Sequence, residues 1–124
     1  MPQPSVKLLN LTRPIQNPAS VGYCDSFVSK LRGLMFRPRL DPDDGLLLVE
    51  KRNSRVDTSI HMFFVPFDIA VFWLNSDLVV VDKVIARSWR PVYIPKADAQ
   101  YTLEIHPSRF GDYEIGDKVE MKHG

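Results

Sequence analysis

Residues 69–85 read Ile69-Ala70-Val71-Phe72-Trp73-Leu74-Asn75-Ser76-Asp77-Leu78-Val79-Val80-Val81-Asp82-Lys83-Val84-Ile85, two apolar runs around a polar break at residues 75–77. Both runs are rich in β-branched and aromatic residues and are of strand length. The three-residue break is of hairpin length, with Asn and Asp tolerant of left-handed backbone. In the first run both alternating sets are apolar, Ile69, Val71 and Trp73 on one side, Ala70, Phe72 and Leu74 on the other. Such a strand is covered on both faces, which places the hairpin at the middle of the domain.

Outward from this hairpin the chain reads as short strands. Residues 5–11, 19–24 and 45–49 precede it, and residues 101–105 and 118–121 follow, with Tyr101, Leu103 and Ile105 opposite Thr102 and Glu104. Pro42-Asp43-Asp44-Gly45 is expected to be a turn, proline fixing φ early and glycine supplying positive φ. One segment carries helical spacing. Behind Asp25 as N-cap, Phe27, Val28, Leu31, Leu34 and Met35 fall on one helix face, and Arg37 before Pro38 stops the helix near residue 36. Gly33 lies inside that stretch and reads as a place where another backbone comes close. The expected fold is therefore α+β, a mostly antiparallel, curled β-sheet or partial barrel with one main α-helix at about 25–36. Its 124 residues form a single domain, 1–124.

A net charge of +1, with 44% hydrophobic and 25% charged residues, describes an ordinary globular chain. It supplies no general basic excess, so no nucleic-acid or membrane partner is expected. Cys24 is the only cysteine and residues 1–7 contain no apolar leader, so the expected location is the cytoplasm. His61, His106 and His123 are far apart, without paired ligand spacing, so no metal is expected. The six glycines never cluster into a phosphate or dinucleotide loop, so no cofactor is expected either.

Three blocks resemble the domain-of-unknown-function 192 family: Leu31-Arg32-Gly33-Leu34-Met35-Phe36-Arg37; Ser59-Ile60-His61-Met62-Phe63-Phe64 with Val71-Phe72-Trp73-Leu74-Asn75; and Trp89-Arg90-Pro91 with Leu103-Glu104-Ile105 and Gly116-Asp117-Lys118-Val119. The resemblance covers residues 5–121 and implies a shared fold and a bacterial or archaeal source, but no activity. Where many members carry an acid, this chain has Ala70.

Function is read from side chains that carry chemistry. His61 enters the hairpin from a charged loop, and Trp89-Arg90 leaves its second strand, so antiparallel pairing brings the two segments to one end of the sheet. With Arg32 they form a candidate ligand site, Arg32, His61, Trp89 and Arg90, suited to a carboxylate or phosphate. The first reading is a non-catalytic binding module for a small anionic ligand or a protein segment. The second is an enzyme using His61 as acid or base, oriented by Asp68 or Glu104. The third is a purely structural or interaction protein. Oligomeric state is not legible from these residues. A deep polar pocket containing His61 separates the first two readings from the third.

Overall fold

The computed structural model describes residues 4–26, 30 and 33–123. Seven strands form one sheet: β1 (Ser5–Asn10), β2 (Val21–Cys24), β3 (Gly45–Val49), β4 (Ile69–Leu74), β5 (Val80–Ala86), β6 (Tyr101–Ile105) and β7 (Val119–His123). Their order is β5-β4-β6-β3-β2-β1-β7, antiparallel except for the parallel pair β2–β3. The sheet curls until its two ends meet. Val79 bridges Lys118, Val80 N–H donates to Asp117 O at 2.9 Å, and Val119 N–H donates to Leu78 O at 2.9 Å. The buried Asp117 carboxylate pins this seam by accepting from Asn10 Nδ2 (2.7 Å), Arg13 Nη2 (2.9 Å) and Glu114 N (2.8 Å).

Every residue of β4 is buried, and its alternation divides the core in two. Ala70, Phe72 and Leu74 face the inside of the curl with Val6, Leu8, Leu47 and Leu103. Ile69, Val71 and Trp73 face outward, where Leu34, Leu40, Ile60, Met62 and Val65 from the connecting loops cover them. The doubly apolar pattern of residues 69–74 has this cause. The hairpin is not at the middle of the sheet: β5 is an edge of the strand order and β4, between β5 and β6, is second from that edge.

The expected main α-helix is the principal correction, and with it the α+β class: the fold is nearly all β. Among the described residues the only helical element with its own bounds is a 3-10 turn, Pro107–Arg109. Lys30 N–H does donate to Ser26 O at 3.0 Å, a helical i to i−4 bond. Beyond it the path breaks: Gly33 takes φ +49° and Phe36 φ +65°, and residues 33–36 are turns. Left-handed glycine is a common way for a helical path to end. The apolar spacing survives as loop packing, with Leu34 buried in the outer core and Met35 against it. Phe27, Val28 and Leu31, of the proposed helix face, lie outside the described residues.

Gly33 also corrects the close-approach reading. A Cβ there would meet only Lys30 O, at 3.7 Å, an ordinary contact, so its backbone angle explains the glycine. The close approach belongs to Gly45, where a Cβ would stand 2.3 Å from the Glu104 carbonyl oxygen on β6.

Candidate functional site

A cavity of about 310 Å³ lies between the outer face of the sheet and the loops that cover it. Leu48, Ile69 and Glu104 come from the sheet; Gly33, Leu34 and Met35 form one wall; Ile60, His61, Met62 and Val65 form the other. Lys30, Glu50, Asp57 and Ser59 complete the lining. A volume of this size falls at the small end of the usual range for ligand sites.

Both walls are tied down by backbone bonds. The Trp73 indole N–H donates to Thr58 O at 2.7 Å, fixing the segment just before His61. Ile60 and Tyr93 exchange N–H···O bonds of 2.9 and 2.8 Å, Met62 N–H donates to Arg90 O at 2.9 Å, and Trp89 N–H donates to Met62 O at 3.0 Å. On the opposite wall, Phe36 N–H donates to Phe64 O at 2.8 Å.

Glu104 is the unusual member. It lies on β6, opposite Leu46 of β3 on one side and Val71 of β4 on the other, and is only 6% exposed. No described group hydrogen-bonds to its carboxyl. Every fully buried side-chain nitrogen and oxygen among the described residues is paired, so the Glu104 oxygens keep some opening, and Glu104 is one of the residues that line the cavity. Burial raises the carboxyl pKa to about 7, only partly opposed by the positive charge of Arg37. The other acids of the lining are matched: Glu50 by Lys30 at 3.0 Å and Asp57 by Arg52 at 3.0 Å.

The four residues singled out from the sequence are only partly together. Pairing of Met62 with Trp89 and Arg90 does join the two segments. His61 lines the cavity, its Nδ1 accepting from Phe63 N at 3.2 Å. Trp89 is 53% exposed and stands outside the lining, as does the exposed Arg90. Arg32 lies outside the described residues. Trp89 instead ends an aromatic stack: Phe64 lies 4.9 Å from Phe36 and 5.3 Å from Trp89 between ring centroids. All three take φ between 61° and 65°, uncommon for bulky side chains.

Neither carboxylate named as a partner for His61 is hydrogen-bonded to it. Asp68 is held by Arg87 Nη1 (3.0 Å) and Ser88 N (2.9 Å); the Ser88 N–H and the Arg87 guanidinium lower its pKa. Glu104 shares the cavity with His61 without a hydrogen bond between them. Sequence reading placed Glu104 on the right side of its strand and named it as a partner for His61, but left it out of the ligand site. Thr102 and Glu104 alternate with apolar neighbours just as solvent-facing residues do, so no local signal marks the burial.

Fold and site together define a curled β-sheet domain with a small, loop-covered cavity on its outer face. The family described as "Uncharacterized ACR, COG1430", domain of unknown function 192, matches residues 10–121, and the chain belongs to it. A UPF0127 protein of Thermococcus sibiricus is 37% identical over 118 residues, 93% of this chain and 74% of that protein. Another, of Thermococcus gammatolerans, is 40% identical over 101 residues, 80% of this chain and 64% of its own length. The crystal structure of a Sinorhizobium meliloti protein, provisionally described as a transcription regulator, has a TM-score of 0.80 at 19% identity, covering 95% of this chain and 92% of that one. At that identity the likeness concerns the fold alone. Among the described residues no helix is long and apolar enough to cross a membrane.

Proposed function

We propose that the chain is a non-catalytic binding module whose small ligand occupies the cavity under residues 33–35 and 59–65. One observation carries this reading: a buried carboxyl, Glu104, belongs to the lining of a mostly apolar cavity and has no hydrogen-bond partner among the described residues. A packed domain seldom leaves a buried ionisable group unpaired, because desolvation costs free energy that a partner returns. Catalysis is disfavoured because no carboxylate among the described residues hydrogen-bonds to His61. An anionic ligand fits this cavity poorly, since three carboxylates (Glu50, Asp57, Glu104) face one ammonium (Lys30). The single cysteine suits work in the cytoplasm.

A short protein segment as ligand has separate support in the exposed stack of Phe36, Phe64 and Trp89. A fragment library followed by methyl NMR separates the two. The cavity reading expects shifts at the Met35 and Met62 methyls. Shifts confined to the Phe36–Phe64–Trp89 surface favour the segment, and none at either place at millimolar ligand removes the binding module.

A further inference from the structure

Resting on that reading, we infer that the cavity takes a ligand with a protonated amine or related cationic head, which pairs with Glu104, and a short apolar body. Lys30 and Arg52 already answer Glu50 and Asp57, each at 3.0 Å, whereas the Glu104 carboxyl has no hydrogen-bond or ion-pair partner among the described residues and is only 6% exposed, on a strand position flanked by Leu46 and Val71. A cationic head entering the cavity gives this buried carboxylate the partner that burial otherwise denies it. A neutral donor makes a weaker bond there, and a carboxylate meets like charge. The rest of the ligand follows from the walls. Leu34, Met35, Met62 and Val65 offer apolar contact, and the two methionines adapt to shape better than branched side chains do. The unpaired carboxyl thus selects the head, and the loop side chains accept the body.

Three probes of one length test the head: n-hexylamine, 1-hexanol and hexanoate, titrated into the full chain by calorimetry from pH 5 to 8. Hexylamine is expected to bind tightest, with affinity rising with pH as Glu104 ionises, while hexanol stays flat. Glu104→Gln should weaken hexylamine by about 10- to 100-fold and hexanol by far less. If the variant fails to fold, the wild-type pH profile alone decides. Equal binding of amine and alcohol with no pH dependence, or a preference for hexanoate, overturns the cationic head while leaving a binding cavity. No binding of any probe at millimolar concentration, together with no shift in the fragment screen, overturns both.

Discussion

The Trp73 indole N–H donates to the Thr58 carbonyl at 2.7 Å, coupling the innermost strand to the loop that carries His61. Thr58 is itself buried, its hydroxyl donating to Ser54 O at 2.7 Å, and Thr102 Oγ1 also reaches Thr58 O at 3.4 Å. Two donors from the sheet, one on β4 and one on β6, therefore hold one wall of the cavity.

Trp73→Phe removes that donor and part of the outer core at once. We expect a loss of about 2–4 kcal/mol in denaturant unfolding, the sum of a buried hydrogen bond and lost volume. Amide exchange at Ile60 and Met62 should accelerate before global unfolding. Unchanged exchange there would mean that the wall stands without the indole.

Two glycines make opposite demands on an alanine. Gly45→Ala forces a methyl against the Glu104 carbonyl oxygen and should cost about 2 kcal/mol or more, because strand backbones cannot give way as side chains do. Gly33→Ala has room but must hold φ +49°, and should cost about 1 kcal/mol. Helix propensity alone gives the opposite sign at Gly33. A stabilised Gly33→Ala protein would restore the helix to residue 33.

The strands were legible because their chemistry is local. Residues 69–74 announce two covered faces, and the turn at Pro42–Gly45 marks the start of β3. The helix was misread because the apolar spacing around Leu34 serves a loop equally well once Gly33 turns left-handed. The site was half legible. Its His61 wall follows from pairing near the hairpin, but Glu104 owes its burial to loops that arrive from residues 33–40 and 58–65. Nothing between Tyr101 and Ile105 encodes that cover.

Stability should depend on pH through Glu104. Its folded-state pKa of about 7 lies above the ordinary 4.5, so between these values the folded chain holds a proton that the unfolded chain has released. This contribution is therefore lost as pH rises from about 4.5 to 7, by about 3 kcal/mol in all, and is flat above. Urea unfolding across that window measures it, and Glu104→Gln should remove this part of the slope. A wild-type and variant pair with parallel pH profiles would show the carboxyl to be solvated.

The most direct measurement is the carbon-13 NMR titration of the Glu104 carboxyl, with and without saturating n-hexylamine. The account predicts a midpoint of about 7 in the free protein, moving lower when the amine pairs with it. A free-protein midpoint near the ordinary carboxylate value, or one that saturating amine leaves in place, contradicts it.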